Sequence, residues 1–408
     1  MKEIEKICPI CGKDNNCQHG KADCWCNTVK IPKSILEMIP NDKKDKACIC
    51  KSCIDKYSVG GNIMINKKIR DYGINIGTFT VGINNSITDV KGVKVGHVTL
   101  DDGVIKTGVT AILPHEGNIF KDKLVAACHV INGFGKSTGL IQIEELGTIE
   151  TPIILTNTLS VGTAHDTLVR YMLNHNDDIG DTTGTVNPII CECNDGEIND
   201  IRGLHIKQEH IYEAMEKCDV KFAEGNVGAG TGMICYGLKG GIGSSSRIVE
   251  LGNTQYTLGV LVLSNFGSLK DFILNGDNIG PKLVEKIREM DEKEDKGSII
   301  IILATDIPLS SRQLKRIIKR VYPGISRTGS YTGNGSGEVV IGFSTANIIK
   351  HYEKYDIVDI KVINENKINK IFKATVEATE EAILNSLICS TSSMDRSGKM
   401  VYSLKDLI

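Results

Sequence analysis

Aromatic side chains and net charge are both scarce in this sequence. Only 5% of its 408 residues are aromatic, and 48 basic residues nearly balance 50 acidic ones to give a formal net charge of −2. Few aromatic residues leave little material for stacking on nucleic-acid bases. A near-neutral chain also has no strong electrostatic attraction to nucleic acid or to an anionic membrane surface. We therefore expect neither nucleic acid nor a membrane as a partner.

Long apolar runs are missing as well. No stretch approaches the about 18 consecutive apolar residues of a membrane-spanning helix. The opening segment MKEIEKICPICGK also lacks the apolar core of a secretion signal. These features predict a cytoplasmic protein whose cysteines stay reduced.

Cysteine, by contrast, is concentrated at one end of the chain. Eight of the 14 cysteines fall within the first 53 residues, in a polar segment too short to bury much of a core. Two C-x-x-C pairs have the spacing of tetrahedral metal sites. Structural zinc is the favoured interpretation, and disulfides or free thiols are the alternative. The candidate ligands are Cys8, Cys11, Cys24, Cys26, Cys48, Cys50 and Cys53.

We expect residues 1–66 to form this small cysteine-rich module together with a linker. Its stretch CPICGK–CWC–CICKSC resembles the cysteine-rich CWC domains of bacteria. The resemblance implies a binding or stability module and not a catalyst.

From residue 67 to residue 408, short β-branched runs alternate with helical stretches and glycine-rich turns. Runs such as GVTAILP, YTLGVLVLSN, GSIIIILATD and GEVVIGFSTAN predict strands buried on both faces. Segments such as GTAHDTLVRYMLNH and SSRQLKRIIKRV have apolar residues at helical spacing. The mixture predicts an α/β sandwich in which helices cover sheets.

Several familiar motifs are incomplete or weak. GFGKSTG lacks a phosphate-binding loop's first glycine, since Val130 stands five residues before Gly135, and GAGTGM lacks the third glycine of a dinucleotide fingerprint. The segment from Gly135 to Gly139 satisfies the G-x-S-x-G pattern of a nucleophile elbow, which makes Ser137 an alternative nucleophile. We favour a glycine-rich loop that lines a pocket, and we interpret His165, inside a helical pattern, as structural.

The junction DKGSIIIILATD points to a different nucleophile. The charged run DEKEDK stops at Gly297-Ser298, where a strand of isoleucines begins. Ser298 is either the point where the chain enters the core or a nucleophile behind a cleavable loop. Cleavage before Ser298 would free an α-amine with a pKa of roughly 7.7–8.0, which could act as the base that a serine hydroxyl needs. We expect the missing side chain of Gly297 to ease the strained geometry of this cleavage.

Longer motifs carry a family resemblance from about residue 70 to residue 408. ITDVKGVKVGHVT, TPIILTNTLSVGTAHD, GNVGAGTGMICYGLKGGIGSSSR and NGSGEVVIGFSTAN resemble, in collinear order, the L-aminopeptidase/D-esterase and β-peptidyl aminopeptidase family. The resemblance implies a four-layer αββα sandwich like that of N-terminal nucleophile hydrolases, made as a precursor that cuts its own Gly-Ser bond. Residues 67–297 would form the α part and residues 298–408 the β part, and the processed chains would form homo-oligomers.

The resemblance also implies roles for individual residues. Ser298 matches the nucleophile that is freed when the Gly297–Ser298 bond is cut. Ser336 and Glu338 match the two residues that support it, and Asn265 matches an asparagine of the oxyanion hole. The resemblance also implies a pocket tyrosine, and we expect its counterpart, or a substitute for it, in the region of Asn194. The expected substrate pocket includes Asn132, Gly133 and Asn194.

Together these features predict an aminopeptidase or amidase that needs no cofactor for catalysis. Its substrates would be small peptides, amino-acid amides or esters, with L-, D- or β-residues all left open. Acyl transfer of the ornithine acetyltransferase type is one alternative, although such enzymes usually carry threonine as the nucleophile. A non-catalytic metal- or partner-binding protein is the other.

Overall fold

The computed structural model describes residues 67–287 and 297–408, and near the N-terminus residues 6–10, 15, 39, 43–44 and 47–50. The chain divides into two compact units, Met1–Ile65 and Asn66–Ile408. The charged run before Gly297 lies outside the described residues.

The larger unit alternates strands and helices. Its strands are β1 (Lys94–Asp102), β2 (Ile105–Leu113), β3 (Asp122–Gly133), β4 (Thr148–Ile149), β5 (Ile153–Asn157), β6 (Ile189–Cys193), β7 (Ile234–Cys235), β8 (Leu238–Lys239), β9 (Gly241–Leu251), β10 (Thr254–Asn265), β11 (Ile273–Leu274), β12 (Asp277–Asn278), β13 (Ser298–Thr305), β14 (Gly337–Lys350), β15 (Ser393–Met394) and β16 (Met400–Val401). Its helices are α1 (Leu140–Leu146), α2 (Val161–His175), α3 (Gln208–Glu216), α4 (Gly280–Ile287), α5 (Ser311–Ile318), α6 (Val321–Arg327) and α7 (Asn369–Ile388).

Two sheets form the middle layers of this unit. One has the strand order β1-β2-β5-β6 and the other β4-β3-β14-β13-β10-β9. Helices α2 and α3 pack on the first sheet, helices α5 and α7 pack on the second, and β6 contacts β10 and β13 between the sheets. This arrangement is the four-layer αββα sandwich predicted from the sequence. None of the helices in the described part of the chain combines the length and apolar character needed to span a bilayer.

Strand β13 is central and buried on both faces. Ile299, Ile301 and Leu303 belong to the apolar cluster beneath the helices. Ile300 and Ile302 belong to the cluster that fills the space between the sheets. A strand alternates its side chains between faces, so Ser298 lies on the face of Ile300, toward the other sheet.

Helix α7 is joined to the second sheet by a buried ionic cluster. The guanidinium of Arg247, in β9, lies 2.7 Å from Glu381 and 3.4 Å from Glu377. Arg70 approaches the same Glu381 carboxylate at 2.7 Å. Charges buried in this way are tolerated because each is paired and hydrogen-bonded. The cluster fixes helix α7 against β9. The strand next to β9 is β10, which carries Asn265.

Candidate active site

The residues predicted to act in catalysis gather at one edge of the six-stranded sheet. Strands β3 and β10 end at this edge, and strands β13 and β14 begin there. Ser298 pairs with Asn265 on one side and with Gly337 on the other. Gly337 in turn pairs with Gly133. These four strand ends place Ser298, the predicted nucleophile, between Asn265 and the segment NGSGE at residues 334–338.

Gly337 makes room for the Ser298 hydroxyl. A Cβ placed on Gly337 would lie 3.2 Å from Ser298 Oγ and 2.5 Å from the carbonyl oxygen of Phe134. Ser298 itself is only 8% exposed. The backbone N–H of Gly337 donates to the carbonyl oxygen of Gly297 at 3.1 Å. The carbonyl next to Ser298 is therefore already held by a donor of the kind that stabilises an oxyanion.

The structure gives a packing reason for glycine at position 297. Its φ lies outside the left-handed region that favours glycine, so left-handed strain does not explain the residue. A Cβ placed there would instead lie 1.8 Å from the carbonyl oxygen of Asn265 and 2.6 Å from the Cα of Phe266. The close approach of the β10 backbone, and not a left-handed conformation, explains the glycine.

The Asn265 side chain is fixed at both of its polar atoms. Its Oδ1 accepts a hydrogen bond from the backbone N–H of Ile234 at 2.8 Å. Its Nδ2 donates to the carbonyl oxygen of Asn194 at 3.0 Å. Ile234 begins the β7–β8 hairpin, whose Tyr236 N–H also donates to the Phe266 carbonyl oxygen at 2.6 Å. The hairpin therefore holds the strand end that carries Asn265 and sets the direction of its amide.

Ser336 and Glu338 are both fully buried beside this edge. The Ser336 hydroxyl has no hydrogen-bond partner among the residues that the structure describes. Asn132 fastens the loop that leads to Ser336, since its Nδ2 donates to the carbonyl oxygens of Gly333 at 3.2 Å and of Ser336. Asn132 thus supports the loop that contains Ser336.

Two other positions singled out in the sequence are Asn194, a predicted pocket residue, and Ser137, the alternative nucleophile. Asn194 meets the site through its backbone carbonyl, while its exposed side chain accepts from the N–H of Gly196 at 2.9 Å. Ser137 does lie between a strand and a helix, but the nearby His165 approaches the neighbouring Thr138, at 3.4 Å. Within the described part of the chain, no histidine is hydrogen-bonded to the Ser137 hydroxyl.

Glu192 is a contributor that the sequence pattern did not reveal. This carboxylate is 3% exposed and accepts from the Lys136 N–H at 2.8 Å and from the Thr158 hydroxyl. It therefore fixes the glycine-rich loop after β3, next to Gly133. A charged residue inside the otherwise apolar strand IICEC is the signal that could have identified it.

The candidate metal ligands lie in the smaller unit. Cys8, Cys48 and Cys50 are described, whereas Cys11, Cys24, Cys26 and Cys53 lie outside the described residues. The backbone N–H of Cys50 donates to Cys8 Sγ at 3.3 Å. Among described residues there is no group of three or more His, Cys, Asp or Glu side chains that could hold a metal ion.

Comparison with known proteins matches two families, one to each part of the chain. Peptidase family S58 matches residues 85–401, and the cysteine-rich CWC family matches residues 8–55. A β-peptidyl aminopeptidase, BapA of Sphingosinicella microcystinivorans, is 36% identical over 345 residues, which cover 79% of this chain and 86% of the relative.

Solved structures give the same result. A protein from Pyrococcus horikoshii OT3 is 53% identical with a TM-score of 0.79, covering 83% of this chain and 96% of that one. The L-aminopeptidase D-Ala-esterase/amidase of Ochrobactrum anthropi, described as a variant of the Ntn hydrolase fold, is 34% identical with a TM-score of 0.77, covering 83% and 95%. These matches confirm the family resemblance, the fold and the hydrolase assignment drawn from the sequence. The chain belongs to peptidase family S58.

Proposed function

We propose that this peptidase is a serine aminopeptidase or amidase that works through Ser298 after cutting its own Gly297–Ser298 bond. The observation that carries the proposal is the position of Ser298 at the start of β13, with the preceding carbonyl hydrogen-bonded to Gly337 N–H. The family match and the aminopeptidase relatives support the reaction class.

This geometry supports the proposed self-cleavage. Ser298 Oγ attacks the Gly297 carbonyl carbon, and the Gly337 N–H stabilises the negative charge that develops on its oxygen. The C–N bond then breaks as the nitrogen takes the Oγ proton, which leaves Gly297 as an ester on Oγ and frees the α-amine. Water hydrolyses the ester, which divides the peptidase unit into an α part, residues 67–297, and a β part, residues 298–408.

In the processed enzyme the freed α-amine serves as the base. It takes the proton of Ser298 Oγ as this atom attacks the substrate carbonyl, in the manner of N-terminal nucleophiles. Asn265 Nδ2 stabilises the oxyanion, and Ser336 with Glu338 supports the nucleophile and its amine. The departing amine takes the proton, and water then releases the acyl group. No step in this scheme needs a cofactor.

The proposed substrates are small peptides, amino-acid amides and esters. The relatives support this range, since one is named for β-peptides and the other for L-amino-acid and D-Ala substrates. Asn132 and Gly133, which pair with the start of β14, and Asn194, whose carbonyl oxygen accepts from Asn265, are the proposed pocket residues.

Replacing Ser336 with alanine is expected to lower kcat/KM for aminoacyl p-nitroanilides about 10-fold to 100-fold, the loss of one hydrogen bond to a charged group. Stability should change little, because the hydroxyl bonds to no described residue in the folded chain. The measurement is turnover per processed chain, with processing followed by intact mass and stability by thermal melting.

Ser403 provides the matched control for this variant. Its hydroxyl is also buried without a hydrogen-bond partner among described residues, but it lies near the C-terminus, where its backbone N–H donates to Ser392 Oγ, and it belongs to none of the strands that carry the predicted site. Ser403→Ala should keep full activity. Equal activity of the Ser336→Ala enzyme and the wild type would remove Ser336 from the mechanism.

We also propose that the cysteine-rich module binds structural zinc. The Cys50 N–H donates to Cys8 Sγ at 3.3 Å, which brings a cysteine of each C-x-x-C pair together. The C-x-x-C spacings and the match to the cysteine-rich CWC family support a compact cysteine-based module. The proposed ligands are the seven cysteines given above.

Elemental analysis of the purified protein should find stoichiometric zinc. The double variant Cys8→Ser/Cys50→Ser is expected to lose it while keeping peptidase activity, because all the proposed ligands belong to the smaller unit. Cys218→Ser, in the larger unit, is the control and should retain zinc. Absence of metal from the wild-type protein would refute the proposal.

We further propose that the processed chains form homo-oligomers and that the protein works in the cytoplasm. The family resemblance supports the first statement. The second is supported by the thiols of the larger unit, since Cys128, Cys191, Cys193 and Cys218 are free cysteines, as expected in a reducing compartment.

A further inference from the structure

A buried lysine lies behind the Asn265 amide. Lys239, at the end of β8, is 0% exposed. Its Nζ donates to three carbonyl oxygens, those of Gly230 at 3.2 Å, Met233 at 2.7 Å and Gly240 at 2.9 Å. Three acceptors call for three N–H groups, which only the charged ammonium provides.

A chain of hydrogen bonds leads from this ammonium to Asn265. The Met233 carbonyl oxygen accepts both from Lys239 Nζ and from the Gly240 N–H at 3.0 Å. The N–H of the same peptide group, that of Ile234, donates to Asn265 Oδ1 at 2.8 Å. Hydrogen bonds that share a peptide group polarise one another, most strongly where water is absent.

We propose that Lys239 is a positioning residue of the peptidase, which acts through the Met233–Ile234 peptide to orient and polarise the Asn265 amide. The inference rests on the proposed role of Asn265 in the oxyanion hole. A positive charge that pulls electrons from the Met233 carbonyl makes Ile234 N–H a stronger donor to Oδ1. Electron withdrawal at Oδ1 in turn makes Asn265 Nδ2–H a stronger donor to the oxyanion. The hydrogen bond to Oδ1 also prevents the amide from turning its oxygen toward the developing negative charge.

The charge on Lys239 depends on its surroundings. Burial lowers the pKa of Lys239 to about 7, and the negative charges of Asp101 and Asp195 oppose this effect. Lys106 and Cys235 also face it, the first lowering its pKa and the second raising it. As the pH rises the ammonium is lost, so kcat should fall on the alkaline side, whereas protonation of the Ser298 α-amine limits kcat on the acid side.

The test is a double-mutant cycle between Lys239 and Asn265. Asn265→Ala alone should lower kcat about 100- to 1000-fold, as for loss of an oxyanion donor. Lys239→Met alone should lower kcat about 10-fold with KM unchanged within about twofold. In the Asn265→Ala background, Lys239→Met should change kcat by less than about twofold, because residues that act through one another are non-additive. All rates are taken per processed chain, counted by intact mass.

Lys68→Met is the matched control. Lys68 is also a largely buried lysine whose Nζ donates to backbone carbonyls, those of Asn84, Asn85 and Ser244 at 3.2, 2.6 and 3.5 Å. It pairs with Glu224, and none of these partners belongs to the β7–β8 hairpin. If a lost buried cation acts only by loosening the fold, both lysine variants lose kcat equally and the loss persists in the Asn265→Ala background. That result would overturn the inference. If Asn265→Ala retains wild-type kcat, the proposed oxyanion role is wrong, which is a different failure.

Asp195→Asn tests the same inference if Lys239→Met does not fold. Burial raises the pKa of Asp195 to about 6, so this residue is charged where the alkaline limb of kcat lies. Its isosteric replacement removes a negative charge that raises the pKa of Lys239 and should move the alkaline limb to lower pH. If the alkaline limb of kcat does not move in this variant, the charge on Lys239 does not control kcat.

Discussion

Replacing Ser298 with alanine is expected to leave the protein as a single 44.4 kDa chain and to lower hydrolysis of aminoacyl amides by about 10⁴-fold or more. Both effects have one cause, because the same hydroxyl attacks the Gly297 carbonyl during processing and the substrate carbonyl afterwards. The removal of Oγ should not disturb folding, since the side chain lies in the space left by Gly337. Intact mass spectrometry of wild type and variant, followed by a substrate assay, measures both effects.

Ser137→Ala is the control for this experiment. Ser137 belongs to the G-x-S-x-G segment, the alternative nucleophile suggested by the sequence, and it lies in the loop beside the same site. We expect this variant to be cut and active like the wild type. An uncut wild-type protein, or a cut and active Ser298→Ala variant, would contradict the assignment and return attention to Ser137.

The sequence was sufficient to predict the strand that carries the nucleophile. Ile299 to Leu303 alternate between the two apolar clusters of the sandwich, and a short run rich in β-branched isoleucine is typical of a strand buried on both faces. The same reasoning applies to β10 and β14, whose apolar runs were also recognised. Long apolar strands are predictable because a run of consecutive apolar residues indicates burial on both faces.

Strand β9 was not recognised, and its composition explains why. Its first residues, GIGSSSR, have low strand propensity and little apolar character. The structure requires small residues there, because a Cβ on Gly243 would lie 2.0 Å from the carbonyl oxygen of Ala382 in α7. The Ser245 hydroxyl donates to the carbonyl oxygen of Ala378 in the same helix at 2.6 Å. These residues form a strand because of their tertiary contacts with α7, which the local sequence pattern does not show.

The helix predicted over SSRQLKRIIKRV is divided in the structure. Helix α5 ends at Ile318 and α6 begins at Val321. A Cβ on Gly324, within α6, would lie 2.8 Å from the carbonyl oxygen of Val376 in α7. Helix α6 therefore packs against α7 more closely than it could if position 324 carried a side chain.

The site was predictable only in part for a related reason. Motifs indicated Ser298, Ser336, Glu338 and Asn265, because each stands at the end of a recognisable strand. The groups that hold Asn265 were not predictable, since they are the backbone N–H of Ile234 and the carbonyl of Asn194. Backbone groups carry no signature of residue type, so their role appears only once the fold is known.

Replacing Gly297 with valine is expected to slow self-cleavage at least about 100-fold while leaving the fold intact. A Cβ at this position would lie 1.8 Å from the Asn265 carbonyl oxygen, so the peptide before Ser298 must move away from β10. That movement displaces the Gly297 carbonyl from its present hydrogen bond with Gly337 N–H and shifts the carbonyl carbon relative to Ser298 Oγ. A displacement of about 1 Å at a reacting centre costs about 100-fold in rate.

A time course of intact mass after synthesis measures the effect, with Gly162→Ala as the control because a Cβ there meets nothing within 4 Å. Molecules of the Gly297→Val variant that are eventually cut should hydrolyse substrate at the wild-type rate. After cleavage the introduced valine is a free C-terminal residue, and its side chain no longer has to occupy the space beside β10. Slow processing with normal turnover would therefore separate the geometry of the scissile bond from the chemistry of the mature site. Processing at the wild-type rate would mean that the close contact with Asn265 does not govern maturation.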